Sequence, residues 1–284
     1  MTQFTSKLQH NTYEIGEFSE EQTRTLEETL TLIKTFPWDA ERHLTDIQLT
    51  GPSVTIINEN GDYLKVSLYF NGKFCLYFLD HSGHIYEYHA PDMETACGLV
   101  TDYFNGTLNL QKFDKHLIDV GARKHFKSKN FDYTVNHTSF YVSLFVFMAL
   151  MLFMVVVLIP VIIKDGAVII SIAFAVATIV IVAAAINWFK TYLKSKNMFL
   201  HLSKGNNIFR LGEKDAINTY NKADIKAITI SNVAKNQKLA IYNITFNNDT
   251  SIRFSGLLIP HYDFINKFPG IDFEYTGNKW PVSL

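Results

Sequence analysis

Two long uncharged runs constrain this chain more than any other feature. The stretch from Phe140 to Ile163 holds roughly 24 residues without a charge, and the stretch from Gly166 to Phe189 is about as long. At about 1.5 Å per residue each would form a helix near 36 Å, longer than the roughly 30 Å hydrocarbon core of a bilayer. The core helix of a soluble protein carries a polar stripe. Here the polar side chains are Ser143, Ser171, Thr178 and the near-terminal Asn187. The runs are therefore predicted to form a two-helix transmembrane hairpin, 139–163 and 166–189.

Only Lys164 and Asp165 are charged between the runs, and Gly166 allows a tight turn. Both chain ends are then expected on one side of the membrane. Arg123, Lys124, Lys127 and Lys129 precede the first run, and Lys190, Lys194 and Lys196 follow the second. The positive-inside rule makes both flanks cytosolic, with these basic residues at the membrane surface. Tyr141, Trp188 and Tyr192 stand where interfacial aromatics belong. No apolar signal segment opens the chain, and Cys75 and Cys97 have no redox or metal spacing. The expected location is the inner (cytoplasmic) membrane, two-pass, with N- and C-termini cytosolic.

Charge divides the chain again. Its net charge of −1 conceals 18 acidic against 8 basic side chains in residues 1–120, and 9 against 18 in residues 121–284. The basic part suits anionic membrane lipids. The acidic part suits a protein partner of basic character. Nothing in the pattern points to nucleic acid. The oligomeric state is not specified.

Residues 1–120 are predicted to be an acidic cytosolic α+β domain: helix, antiparallel four-stranded meander, helix. Ser19 with Glu20 and Glu21 reads as a helix start, Leu26, Leu30, Ile33 and Phe36 as its apolar face, and Pro37 as its stop. SVTIIN, YLKVSLYF, KFCLYFLD and HIYEYHA follow as strands, with Asn60-Gly61 and Asn71-Gly72 as hairpin turns. Pro91 and Gly106 bracket a second helix. Leu64, Val66 and Leu68 alternate with Tyr63, Lys65, Ser67 and Tyr69, so one sheet face is aliphatic. The other is expected to display Tyr63, Tyr69, Tyr77, Tyr86 and Tyr88 to a protein partner.

Chemistry is sparse. His81, His84, Glu87 and His89 invite a metal reading, but His84 and His89 are five apart and point to opposite faces of a strand. No metal, cofactor or catalytic residue is assigned, and no nucleophile, zinc-protease or phosphate-loop motif occurs. The chain is expected not to be an enzyme.

Residues 121–138 read as a basic juxtamembrane linker, and residues 190–284 as a further cytosolic domain. MFLHLS and IFRL form a hairpin, DIKAITIS, LAIYNITF and IRFS continue it, and LLIPHYDFINKF closes it as a helix. On YNKADIKAITIS (220–231), YNITFNNDTSIRFSGLL (242–258) and HYDFINKFPG (261–270), this part resembles bacterial pleckstrin-homology-like (PH-like) domains. The resemblance implies an antiparallel β domain with a closing helix, and it carries over no lipid-binding motif. The ending YFLDHSGHIYEYHAPDMETACGLVTDYFNG is faintly similar to small bacterial toxin-immunity proteins, acidic α+β modules that block a toxin stoichiometrically. The leading expectation is a membrane protein that captures or neutralises a protein partner, of immunity or regulatory type. The alternative is a PH-like lipid-sensing or scaffold protein.

Overall fold

The computed structural model describes residues 2–42, 49–117, 121–165, 168–213, 216–231 and 240–276. The chain divides into two compact units, residues 1–130 with 203–206, and residues 131–202 with 207–284.

In the first unit, β1 (Gln3–Gln9), β2 (Ser19–Thr25), α1 (Leu26–Thr35) and the one-turn α2 (Trp38–Glu41) come first. β3 (Ser53–Ile57), β4 (Tyr63–Leu68), β5 (Phe74–Leu79), β6 (Ile85–Ala90), α3 (Met93–Phe104) and β7 (Asp114–Lys115) follow. The strands form one sheet in the order β2-β1-β3-β4-β5-β6-β7, antiparallel throughout. The predicted meander is its central part, β3 to β6. Its turns use the expected residues: Gly61 takes φ 79°, and Asn71 and Gly72 take 55° and 76°, left-handed conformations that glycine and asparagine accept.

Two expectations are corrected. Ser19 does not cap a helix, because Ser19–Thr25 (SEEQTRT) is an edge strand on β1. It has no apolar residue with which to make a helical face, whereas Arg24 donates to Ser6 O (3.0 Å) and Ser6 Oγ (2.7 Å). The helix starts six residues later than a Ser19 cap implies, at Leu26, with Thr25 and Glu28 forming a reciprocal capping box. The four-stranded meander also gains β1, β2 and β7. α1 and α3 cover the aliphatic face, enclosing Ile33, Val54, Ile56, Leu64, Val66, Leu76 and Val100.

The second unit opens with β8 (Asp132–Thr134), followed by α4 (His137–Asp165) and α5 (Val168–Ser195). Then come β9 (Met198–His201), β10 (Ile208–Glu213), β11 (Ala216–Asn221), β12 (Ile225–Ser231), β13 (Ile241–Phe246), β14 (Ser251–Ser255), α6 (His261–Asn266) and β15 (Phe273–Thr276). Among the described residues two four-stranded sheets result, β11-β10-β9-β8 and β14-β13-β12-β15, in which β12 and β15 pair parallel and the other neighbours antiparallel. One core joins them: Leu200, Phe209 and Leu211 from the first, Ile228, Ile230, Tyr242 and Ile244 from the second, and Phe264 from α6. Tyr242 and Phe264 stack at 4.0 Å.

Residues 121–138 are not a free linker. Residues 121–130 belong to the first unit and residues 131–138 to the second. The C-terminal domain gains β8, β11 and β15, and its closing helix is the short α6, with β15 after it. The predicted tip residue Gly166 lies outside the described residues.

Candidate membrane interface

β8 runs into α4, α5 runs into β9, and the two strands pair antiparallel: Asp132 with His201, Tyr133 with Leu200, Thr134 with Phe199. The helices therefore leave and re-enter the domain between adjacent strands. Asn136 starts α4, its Oδ1 accepting from Ser139 N at 2.8 Å. At this end the helices carry an aromatic collar. The Phe140 ring stacks on Tyr192 at 3.6 Å and lies 4.5 Å from Trp188. The Tyr192 hydroxyl meets His137 Nδ1 at 2.9 Å, and Ser195 Oγ meets Ser255 Oγ at 2.9 Å. Phe140 and Tyr192 are buried there, while Tyr141 and Phe189 are exposed.

Beyond the collar most of the described side chains are apolar and exposed. Phe145 is 73% and Ile179 69% accessible, and Met148, Leu152, Phe153, Val176 and Ile186 are similar. Apolar exposure on this scale marks a surface that meets a membrane or another protein. Among the described residues one helix, Phe174–Ser195, is long and apolar enough to cross a membrane, and His137–Phe153 is a shorter apolar helix. Lys190, Lys194 and Lys196 lie exposed near the end of α5. Arg123, Lys124, Lys127 and Lys129 are exposed in the first unit, where Arg123 Nη2 donates to His81 O at 3.2 Å.

The five tyrosines do not form one exposed surface. Tyr86 and Tyr88 lie opposite Phe78 and Leu76 and pack on the helix-covered core. Tyr77 is buried with Cys75, Leu79, Ile85 and Phe126 on the other face, against which Tyr63 and Tyr69 are half-buried. The cover is the segment containing the 3-10 turn Ala122–His125 and Phe126, which is fully buried. Register explains the split: the period of two puts Glu87, not its tyrosine neighbours, opposite Tyr77.

Beneath this cover lies a feature the sequence reading missed. Lys7, Thr55, Lys65, Tyr77 and Glu87 form one cross-strand row. Lys65, with no accessible surface, donates to Gln9 Oε1 (2.8 Å), to His125 O (3.1 Å) and to Leu49 O. Lys7 donates to Ser128 Oγ at 2.9 Å and lies 4.1 Å over the Phe18 ring. Burial, then the charge of Lys7, lowers the Lys65 pKa to about 7; burial lowers Lys7 to about 8, opposed by Glu21. The alternation in YLKVSLYF made Lys65 look solvent-facing. The isolated Phe126 in a basic segment was the available signal of a cover.

His81 and His84 pair separately, with Asp62 at 3.3 Å and Asp80 at 3.1 Å. Glu87 instead gathers His89 Nε2 at 2.6 Å, His116 Nε2 at 2.7 Å and Cys75 Sγ at 3.4 Å. Burial opposes the Glu87 charge, but the hydrogen bonds from His89, His116 and Cys75 outweigh it and hold the carboxyl below its ordinary range.

No curated protein and no solved structure matches the chain. No comparison supports the immunity-protein resemblance of the N-terminal part. A family model described as a PH domain does match, over residues 128–267, from just before β8 through α6. The chain thus carries a PH-like domain, with α4 and α5 inserted between its first two strands.

Proposed function

We propose that this is a non-enzymatic integral membrane protein whose α4–α5 hairpin crosses the inner membrane and fixes a PH-like domain to the cytosolic surface as a scaffold. The observation that carries this reading is the exposed apolar length of α4 and α5, rising from an aromatic collar inside the PH-like unit. The collar supplies the amphipathic rings favoured at headgroup depth. Lys190, Lys194 and Lys196 add charge that suits anionic lipid, each worth about 1 kcal/mol near such a surface. Both termini lie in the cytosol in this reading.

Alkaline carbonate washing of membranes from expressing cells tests it. The full chain is expected to stay in the pellet and be released by detergent. An Asp165→Cys variant is expected to react with an impermeant maleimide in intact cells stripped of their outer barrier, while Cys75 and Cys97 do not. Release by carbonate would sink the membrane-spanning reading, and labelling only after lysis would reverse the topology.

A second reading, capture of a basic protein by the first unit, is favoured by the 18 acidic and 8 basic side chains of residues 1–120. It no longer draws on a tyrosine surface, and an immunity role is its narrowest form. Salt-sensitive, stoichiometric recovery of one basic protein with the detergent-solubilised chain would support it. Recovery unaffected by neutralising exposed acidic residues would count against it.

A further inference from the structure

We propose that Cys75, Glu87 and His89 form a binding site for a zinc-type divalent cation on the covered face of the first unit, with His116 orienting the carboxylate. The ligand atoms of these three residues lie within 4.8 Å of one another. Zinc bonds of about 2.0–2.3 Å in tetrahedral geometry separate ligand atoms by roughly 3.3–3.7 Å. The present separations, 2.6 Å from His89 Nε2 to Glu87 Oε1 and 3.4 Å from Cys75 Sγ to the same oxygen, need only a small opening. A thiolate, an imidazole and a carboxylate are the borderline donor set that suits zinc rather than magnesium or calcium.

The sheet brings these groups together. Cys75 on β5 is directly opposite His89 on β6, and Glu87 lies two residues before His89 on the same face. His116, just past β7, reaches the second carboxylate oxygen at 2.7 Å, the position of an outer partner that fixes a metal-binding carboxylate. The His89 ring is held by stacking on Tyr69 at 4.1 Å. Cys75 is buried while His89 is exposed, so an ion enters from the imidazole side.

A second observation points the same way. Ser67 is the cross-strand neighbour of Cys75 on the other side, and its buried hydroxyl has no hydrogen-bond partner among the described residues. A metal-bound thiolate is a better acceptor for it than a neutral thiol.

Binding is balanced by one proton. The Sγ–H bond of Cys75 breaks as the Sγ–metal bond forms, and the proton leaves to solvent; Glu87 is already a carboxylate, and the Nε2–H that neutral His89 donates to Glu87 is exchanged through solvent for a hydrogen on Nδ1, which frees Nε2 for the metal.

The test uses the full chain in detergent, stripped with a chelator and titrated with zinc against a chromophoric competitor, and separately with cobalt. Expected are one zinc per chain and a thiolate-to-cobalt charge-transfer band. Cys75→Ser is expected to abolish the band, His89→Gln to weaken zinc at least 100-fold, and His116→Gln about 10–100-fold. His84→Gln, which pairs with Asp80 instead, is expected to bind as the parent does. Since Cys75 is buried, His89→Gln at an exposed position guards against misreading a folding defect. The proposal is overturned if the parent binds zinc no more tightly than His89→Gln, or if the cobalt band survives Cys75→Ser.

Discussion

Lys65 is the residue whose chemistry departs furthest from what its sequence position suggests. A lysine on a strand usually ends in water, yet this ammonium is fully buried and satisfied by Gln9, Leu49 and His125. Among the described residues the titratable groups near it include Lys7 across the sheet and the His125 imidazole from the cover, whose pKa burial and then Lys65 lower, with Glu21 acting on Lys7. Its pKa of about 7 in the fold lies below its value of 10.5 in the open chain. Below pH 7 both states hold the proton and the fold bears the whole cost of a buried charge. Between pH 7 and 10.5 the unfolded chain binds more protons, so stability rises with pH. From pH 7 to 9 the gain is on the order of 2–3 kcal/mol, from about 1.4 kcal/mol per unit. Thermal unfolding of the detergent-solubilised chain is expected to move upward from pH 6 to 9, and Lys65→Met to flatten most of that rise. Equal slopes in both proteins would show that Lys65 is not the source.

At the level of elements, helix α1 shows how local signals compete. SEEQ (19–22) and TLEE (25–28) both have the spacing of a capping box, but only the second is used. Leu26, Leu30 and Ile33 pack on the core only if the helix begins at Leu26, and β1 offers a backbone edge to the polar residues before it. Thr25→Ala is therefore expected to cost about 1 kcal/mol, the usual worth of an N-cap. Ser19→Ala should be close to neutral, because the Ser19 hydroxyl is buried without a partner among the described residues. Denaturant unfolding of the two variants checks the order, and a larger loss at Ser19 would contradict the strand assignment. The same competition explains what was legible elsewhere. Asn-Gly turns and the Leu64–Leu68 alternation specify β3 to β6 locally, so they were readable. β1, β7, β8 and β15 are short or polar and acquire meaning only from distant partners, such as Thr134 with Phe199 and Ile228 with Phe273. The metal-type cluster was hidden for that reason as well: Glu87 and His89 are close in sequence, but Cys75 and His116 come from other strands.

For the molecule as a whole, the decisive fact is where the α4–α5 segment is inserted. β8 and β9 are hydrogen-bonded neighbours, so a chain that departs after β8 must return to the same place before β9. This forces both ends of the α4–α5 segment onto one side of any membrane it crosses, independently of the tight connection that first suggested it. It also separates the parts of the helices that serve the PH-like core from those that do not. Phe140, Leu144, Trp188 and Tyr192 pack into that core, whereas Phe145 and most of the described apolar residues beyond it are exposed. Residues 146–185 should then be dispensable for folding. A chain in which a short Gly-Ser loop joins Phe145 to Ile186 keeps the collar and the β8–β9 pairing, and loses the apolar length. It is expected to leave the membrane fraction, stay soluble without detergent and unfold cooperatively. If the shortened chain aggregates or shows no cooperative transition, the distal helices are part of the fold's core rather than a membrane anchor. If it remains in the membrane pellet, attachment resides in some other surface. Either result would count against the proposed anchoring by α4 and α5.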